Sequence, residues 1–362
     1  MRFNPFQYMK WAKEQAGKEW DCSLAASGMP ALSMEDLGLR PEDIRIDRPG
    51  LYGDPELRGI LARRYGVPES RVIIAAGTSL ANFLVLGALL EPADEAIVET
   101  PTYESLPRIV EMLGAKVVPL ARTFDEEFRV IPARLREAVT PRTRAIILTS
   151  LHNPSGVGVP EETLREIGEI ADRSGALVIV DEVYIEYLPE GAFPRAATLG
   201  DPFVSTSSLT KAYGLGGLRV GWAVGPEPLI RKAHELHDLL DVECSAPSQS
   251  IAVRFFDGAD AILSRTIEHL KRNYGILSRW AEDRGDIDLV PPDGGASAFP
   301  RLPPGVSSLD LSRRLMDEFG TVVVPGDFFE APGFLRISFG GETGDLEEGL
   351  RRLGRAIDVS RD

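Results

Sequence analysis

The stretch Ser205–Trp222, with the sequence STSSLTKAYGLGGLRVGW, decides how this chain is interpreted. In it, Lys211 follows Ser208 by three residues and precedes Arg219 by eight, among four glycines. Apolar residues on both sides predict two strands, so this lysine belongs to a glycine-rich connection where backbone can approach a ligand closely. A lysine that is partly desolvated beside other cations loses its proton readily and can form an imine. Because most lysines are solvated surface residues, the assignment needs partners elsewhere in the chain.

The composition limits the classes of function. The 362 residues are 43% hydrophobic and 26% charged, which is enough for a large core and two domains. A net charge of −15 argues against a nucleic-acid surface and against anionic membranes. The charged N-terminus predicts no secretory signal, and no apolar run is long enough to span a bilayer. Two distant cysteines, Cys22 and Cys244, indicate buried thiols and favour the cytoplasm.

Two of the four histidines, His234 and His237, stand one helical turn apart. No further histidine or cysteine is near enough in sequence to be counted with them as a metal site. A solvated helix face is therefore the favoured interpretation of this pair. The sequence predicts no metal.

A phosphate-binding site is predicted where the first core strand ends. Val72–Ala75 is rich in β-branched residues and is followed by Gly77, and then Thr78 and Ser79 open an apolar helix. Free amides and the positive end of the helix dipole at such a position attract an anion. Threonine and serine are also the usual helix caps, so this signal alone is moderate.

Beyond this point short apolar strands alternate with helices, which predicts a mostly parallel sheet covered on both faces. Ligands of such sheets bind beyond the carboxyl ends of the strands. Polar side chains follow the predicted strands at Tyr103, Asn153, Asp181, Tyr184 and Lys211. We expect them to converge at one edge of the sheet.

The ends of the chain belong to a different part of the pattern. Phe3–Lys18 predicts an amphipathic helix, and Gln249–Trp280 predicts a long, nearly unbroken helix that connects two domains. After it, short strands and two helices predict a smaller α+β unit. We expect a large domain over residues 46–282 and a small domain formed by residues 1–45 and 283–362.

Four motifs occur together in one order. They are Asn153-Pro-Ser-Gly156, Asp181-Glu-Val-Tyr184, Ser208-Leu-Thr-Lys211 and Gly217-Leu-Arg-Val-Gly221. In this combination the chain resembles the class I/II pyridoxal-phosphate aminotransferases of the aspartate aminotransferase fold, fold type I, from Gly28 to Arg336. The resemblance implies an α/β fold: a large domain with a mostly parallel seven-stranded sheet between helices, and a smaller α+β domain.

The resemblance also implies pyridoxal 5'-phosphate as the cofactor and gives roles to the residues around its ring. Lys211 would hold the cofactor as a Schiff base and act as the general base once it is released. Asp181 would keep the ring nitrogen protonated, which the cofactor needs as an electron sink. Tyr184 and Asn153 match the residues that bond the phenolic oxygen, and Tyr103 matches the aromatic ring that stacks on the cofactor.

Further roles concern the phosphate and the substrate. Arg336 matches the arginine that holds the substrate α-carboxylate, with Gly28 and Asn153 beside it. Tyr52 matches a tyrosine that reaches the phosphate of the neighbouring subunit's cofactor, which implies a homodimer with shared sites. The residues implied to bind the phosphate within the same subunit are Thr78, Ser79, Ser208 and Arg219.

We therefore predict a cytoplasmic aminotransferase that moves an amino group from an L-amino acid to a 2-oxo acid. The same fold also hosts lyases, decarboxylases and cyclising enzymes such as capreomycidine synthase, which this chain resembles faintly at Ser27-Gly28, so the fold does not fix the reaction. A ligand sensor is disfavoured because there is no basic region for DNA binding. A serine acylase is rejected because the companion motifs are absent. Arginines available for a distal substrate carboxylate, none of which stands out, are Arg40, Arg45, Arg48 and Arg122.

Overall fold

Helices and strands alternate through the middle of the chain, as the sequence pattern predicts. The computed structural model describes residues 4–47 and 52–361. The described helices are α1 (Gln7–Ala16), α2 (Pro55–Tyr65), α3 (Thr78–Leu89), α4 (Ser105–Met112), α5 (Pro132–Ala138), α6 (Glu161–Ser174), α7 (Glu227–Leu240), α8 (Ala246–Phe256), α9 (Ala259–Arg284), α10 (Ser308–Phe319) and α11 (Thr343–Val359). The described strands are β1 (Cys22–Ser23), β2 (Val72–Ala75), β3 (Glu95–Thr100), β4 (Lys116–Ala121), β5 (Thr143–Thr149), β6 (Leu177–Asp181), β7 (Phe203–Ser208), β8 (Gly221–Val224), β9 (Ser297–Ala298), β10 (Thr321–Val322), β11 (Val324–Pro325) and β12 (Leu335–Ser338).

A seven-stranded sheet in the order β2-β8-β7-β6-β5-β3-β4 forms the centre of the molecule. Strand β8 runs antiparallel to both of its neighbours, and the other pairs are parallel. The inner strands are buried on both faces because apolar clusters that include helix side chains cover each side. The predicted mostly parallel sheet of seven strands is confirmed. None of the described helices has the length and apolar character that a membrane crossing needs.

The last part of the chain forms two small sheets. Strands β9, β11 and β12 pair antiparallel, and β1 pairs parallel with β10. The pairing Cys22↔Thr321 therefore ties the N-terminal segment to elements more than half the chain length away in sequence. Both cysteines are buried free thiols, as predicted. The division into residues 46–282 and the two flanking segments stays a prediction.

Two helix predictions are wrong in extent. The N-terminal helix is shorter than Phe3–Lys18: the carboxylate of Glu104 accepts hydrogen bonds from the first amides of α1, Gln7 N at 3.3 Å and Tyr8 N at 2.9 Å, and Gly17 follows its end. Phe3 lies outside the described residues. The predicted connector helix is interrupted at Asp257-Gly258, where glycine has poor helix propensity, so α8 and α9 are separate helices.

The interpretation of the histidine pair is also wrong for His237, which is buried rather than solvated. After α7 the chain turns at Val242, whose φ of 59° lies in the left-handed region. This turn brings Cys244 back against the His237 ring, with Sγ 4.0 Å from Nε2. The sequence distance between these residues therefore concealed their contact.

Candidate active site

A cavity of about 430 Å³ opens where β5, β6 and β7 end and α3 begins. This is the edge at which ligands of parallel sheets bind. Side chains from all four elements line the cavity, as do residues of α1. The predicted cofactor residues that line it are Thr78, Ser79, Tyr103, Asn153, Asp181, Tyr184, Ser208, Lys211 and Arg219.

Lys211 lies in the glycine-rich connection between β7 and β8, with its amine inside the cavity. Its Nζ donates a hydrogen bond to Ser27 Oγ at 2.8 Å. Burial lowers the pKa of Lys211, and the positive charge of Arg336 acts in the same direction, whereas Tyr8 and Asp181 oppose it. Ser27 is a contact that sequence reasoning missed. The lysine is thus held as a more easily deprotonated amine, which is the form that reacts with a carbonyl.

Asp181 ends β6, and its side chain is buried at the bottom of the cavity. Its Oδ2 accepts a hydrogen bond from Asn82 Nδ2 at 2.9 Å, and its Oδ1 accepts one from Val183 N at 3.1 Å. Burial raises the pKa of Asp181 to about 6, although these hydrogen bonds oppose the rise. Asn82 was missed by sequence reasoning, and a signal was present: it is an amide inside the apolar helix α3. This carboxylate could pair with a cationic ring nitrogen.

Three further side chains surround the cavity near Asp181. Asn153 Nδ2 lies 3.5 Å from the Tyr184 hydroxyl, to which it donates. Burial raises the pKa of Tyr184 to about 12, so its hydroxyl remains a donor at neutral pH. The Tyr103 ring packs edge-on against Phe6 with a centroid separation of 5.3 Å. The Tyr103 ring is therefore held in place from the α1 side.

The start of α3 forms an anion site with Arg219. The Thr78 Oγ1 is buried and has no hydrogen-bond partner in the described part of the chain. Arg219, at φ 54°, donates from Nη2 to Ala76 O at 2.9 Å, and a Cβ at Gly77 would collide with its guanidinium. An orphaned hydroxyl, a helix N-terminus and an arginine suit a phosphate dianion. Together with Asp181 and Lys211, they fit pyridoxal 5'-phosphate.

Arg336 is 1% exposed and lies in β12, behind Asn153. Its Nη1 donates to Asn153 Oδ1 at 3.2 Å, and its Nη2 donates to the Tyr8 hydroxyl at 2.6 Å and to Ala25 O at 3.2 Å. Among the described residues no carboxylate forms an ion pair with it, and its Nε has no partner. This buried, unneutralised guanidinium is suited to an incoming carboxylate.

Tyr8 is a third residue that sequence reasoning missed, after Ser27 and Asn82. Burial raises its pKa, but the positive charges of Arg336 and Lys211 outweigh burial and leave the pKa of Tyr8 below its ordinary value. Gly28 lies directly on the lysine: a Cβ there would come within 3.2 Å of Lys211 Cα. Tyr8 lines the cavity and contacts Arg336 behind it, while Gly28 packs against the lysine backbone.

Tyr52 does not line the cavity of its own chain. Its side chain is 52% exposed, and its ring lies 4.6 Å from that of His234. The preceding residue, Leu51, lies outside the described residues. The structure thus gathers every predicted cofactor residue except Tyr52, whose role stays a prediction.

Of the arginines considered for a distal carboxylate, the three that the structure describes do not line the cavity. Arg122 is fully buried and bonded to Glu99, with Nη1 2.6 Å from Oε2. Arg40 and Arg45 are exposed and do not line the cavity, and Arg48 lies outside the described residues. The cations that do line it are Lys13, Lys211 and Arg219.

This fold and this site define a pyridoxal-phosphate-dependent enzyme of fold type I. A profile of the family described as aminotransferase class I and II matches residues 48–353, and the chain belongs to that family. The predicted resemblance and cofactor are confirmed. Membership of the family does not by itself fix amino transfer as the reaction, because members of the family differ in the reaction they catalyse.

Three similar proteins illustrate that range. Capreomycidine synthase from Streptomyces vinaceus is 32% identical over 90% of this chain and 85% of its own. Arginine–pyruvate transaminase AruH from Pseudomonas aeruginosa is 31% identical over 83% of this chain and 80% of its own. The crystal structure of a PLP-dependent aminotransferase from Streptococcus suis superposes with a TM-score of 0.91 at 26% identity, covering 99% of both chains.

Proposed function

We propose that this chain is an aminotransferase that moves an amino group from an L-amino acid to a 2-oxo acid. The observation that carries the proposal is the buried Arg336 guanidinium, which has no carboxylate partner among the described residues and contacts Asn153 at the cavity that holds Lys211. A cation there would fix the α-carboxylate and so present the α-carbon to the lysine amine. Amino acids and 2-oxo acids share that carboxylate.

The chain's own residues supply positioning and proton transfer. Pyridoxal 5'-phosphate, when bound, supplies the electron sink that amino-group chemistry needs. Lys211 would hold the cofactor through its amine and, once displaced, move a proton from the substrate α-carbon. Asp181 would keep the ring nitrogen charged. Tyr184 and Asn153 would orient the ring, while Thr78, Ser79, Ser208 and Arg219 would hold the phosphate.

We further propose a homodimer with sites shared between subunits. Large apolar side chains are exposed at the end of α7 and just after it, at Leu239, Leu240 and Val242, and Ile46 is exposed as well. Apolar side chains so grouped are typical of a subunit interface. If a second copy of the chain covered these side chains, we expect that Tyr52 of each subunit would reach the cofactor phosphate site of the other. We assign the large domain to residues 46–282, the remainder to the small domain, and the enzyme to the cytoplasm.

Replacing Lys211 by alanine tests the assignment. Loss of both cofactor attachment and the base should reduce turnover by at least about 10⁴-fold. Turnover is measured as the 2-oxo acid formed from an amino donor, with borohydride used to fix the cofactor to the wild-type chain. Circular dichroism serves as the folding control. Near-normal turnover in the variant, or a wild-type chain that borohydride leaves unlabelled, would contradict the proposal.

A cyclising reaction is the second candidate, and the similarity to capreomycidine synthase favours it. The two reactions differ in stoichiometry. An aminotransferase needs an acceptor and yields one new amino acid for each 2-oxo acid formed, whereas a cyclase consumes a single substrate without an acceptor. A donor panel that includes arginine, with pyruvate or 2-oxoglutarate present or omitted, separates them. Product formation that is independent of any acceptor would favour the cyclase.

A further inference from the structure

A second group of ligating side chains lies outside the cofactor cavity, where α7 ends. His237 Nε2 lies 4.0 Å from Cys244 Sγ and 3.9 Å from Asp241 Oδ2. All three ligand atoms lie within 4.8 Å of one another. None of these residues lines the cavity that holds Lys211. An imidazole, a thiol and a carboxylate together offer the nitrogen, sulfur and oxygen ligands that zinc binds.

The backbone between these residues is what brings them together. In a continued helix Cys244 would lie seven residues, or about 10.5 Å along the axis, beyond His237. Instead, Asp241 N and Val242 N both donate to His237 O, at 3.0 and 3.1 Å, and Val242 takes a φ of 59°. A β-branched residue in that region is an outlier, and such local strain clusters at functional sites.

Burial also suits a bound ion. His237 is 4% exposed and Cys244 is 7% exposed, while the Asp241 side chain is 49% exposed in the single chain.

We propose that His237, Asp241 and Cys244 bind a divalent transition-metal ion of the zinc class. Tetrahedral zinc bonds of ordinary length would set the sulfur and nitrogen about 3.6 Å apart, so the observed 4.0 Å requires only a small side-chain movement. A water molecule would complete the coordination as the fourth ligand. Binding replaces the thiol proton of Cys244 by the metal, and the proton is released to solvent.

A bound ion at this site would support the loop that carries Tyr52. Cys244 O accepts a hydrogen bond from Gln249 Nε2 at 2.8 Å, and Gln249 Oε1 accepts one from Asp54 N at 2.6 Å. Two hydrogen bonds therefore connect a metal ligand to the residue two positions after Tyr52. A bound ion would fix the turn between α7 and α8 and raise the unfolding temperature of the holoenzyme.

Zinc binding to the untagged holoenzyme is the test. The protein is equilibrated with Zn²⁺ against a chelating indicator, bound zinc is counted after dialysis, and X-ray absorption at the zinc edge reports the ligand atoms. The matched variants are Cys244→Ser, His237→Gln and Asp241→Asn. Cys22→Ser and His234→Gln are the controls, since each removes a residue of the same type that lies outside the cluster.

We expect one zinc per chain with one sulfur ligand in the wild type and in both controls. Loss of a group that only hydrogen-bonds a metal ligand weakens metal binding by about 10- to 100-fold. Loss of the thiol or the imidazole, which would be ligands themselves, should weaken zinc binding by more than that. Asp241→Asn alters an exposed side chain, so it should fold normally and still bind zinc more weakly. The proposal is overturned if the wild type binds no stoichiometric zinc, if the zinc has no sulfur ligand, or if the cluster variants bind it like the controls.

Discussion

Arg122 and Arg336 are buried to the same extent, each 1% exposed, but their surroundings differ. Arg122 pairs with the carboxylate of Glu99 and also donates to three backbone carbonyls, those of Phe128, Thr149 and Val157. Arg336 has only neutral partners among the described residues. A buried charge is costly unless an opposite charge meets it. The protein supplies the anion for Arg122, whereas for Arg336 we propose that the substrate supplies it.

The ion pair of Arg122 and Glu99 nevertheless helps to position Asn153 in the site. Glu99 accepts hydrogen bonds from Thr149 N at 2.7 Å and from Thr149 Oγ1 at 2.5 Å. Thr149 Oγ1 in turn accepts one from Asn153 N at 3.1 Å. One arginine thus fixes the segment that carries Asn153, and the other uses the Asn153 side chain as a partner.

The largest effect is expected from Arg122→Met, which removes the cation and leaves Glu99 buried and unpaired. The free energy of unfolding should fall by about 3–5 kcal/mol. Chemical denaturation of the cofactor-free protein measures it. The double variant Glu99→Gln with Arg122→Met is the control and should recover part of the loss, because the stranded charge is gone. A single variant as stable as the wild type would break the comparison.

Arg336→Gln should have the reverse profile. Losing two charge-assisted hydrogen bonds to the substrate carboxylate should lower kcat/KM by roughly 10²- to 10³-fold. The free energy of unfolding should not fall, since an unneutralised buried charge is removed. Steady-state kinetics with an amino donor and denaturation of the same preparation give both quantities. A loss of stability as large as that of Arg122→Met would mean that Arg336, like Arg122, mainly stabilises the fold.

Much of the site could be predicted from the sequence because its motifs are local. Asp181 and Tyr184 are three residues apart at the end of one strand, and Ser208 and Lys211 follow another. The parallel sheet then brings the strand ends together, as its topology requires. Asn82 could have been predicted as well, since an amide in an apolar helix that faces a sheet needs a polar partner.

The rest depends on contacts that no local pattern encodes. Tyr8 reaches Arg336 across 328 residues, and Ser27 reaches Lys211 across 184. Docking of α1 over the cavity depends on Glu104, which caps that helix from another part of the chain. The prediction of one continuous connector helix was wrong at Gly258 for a simpler reason. It followed the apolar periodicity and gave too little weight to the low helix propensity of this one glycine.

Asp181 sharpens the comparison as a buried charge of opposite sign. No cationic side chain in the described chain forms an ion pair with it, and burial raises its pKa to about 6. Above that pH the Asp181 carboxylate is charged and can pair with a protonated ring nitrogen. Below that pH the Asp181 carboxyl must first lose its proton before the cofactor can bind in this way. The affinity of the cofactor-free enzyme for pyridoxal 5'-phosphate should therefore fall up to about tenfold per pH unit below 6.

An absorbance titration of the cofactor between pH 5 and 8 measures that dependence. Asp181→Asn is the control, because an amide does not titrate in this range. Its affinity should be lower at pH 8 and should change less between pH 5 and 6 than that of the wild type. Equal pH dependence in both proteins would assign the titration to another group.

The smallest effect is expected from Tyr8→Phe, which removes one neutral partner of Arg336. The hydroxyl holds Nη2 at 2.6 Å, so its loss leaves the guanidinium less firmly oriented toward a carboxylate. One such hydrogen bond is worth about 0.5–1.5 kcal/mol, which predicts a KM for the amino donor about 3- to 10-fold higher with kcat nearly unchanged. Tyr274→Phe is the matched control, because Tyr274 does not line the cavity. A KM that falls instead would show that the Tyr8 hydroxyl competes with the substrate for Arg336. In that case Arg336, like Arg122, would be satisfied by the protein itself until Tyr8 is displaced.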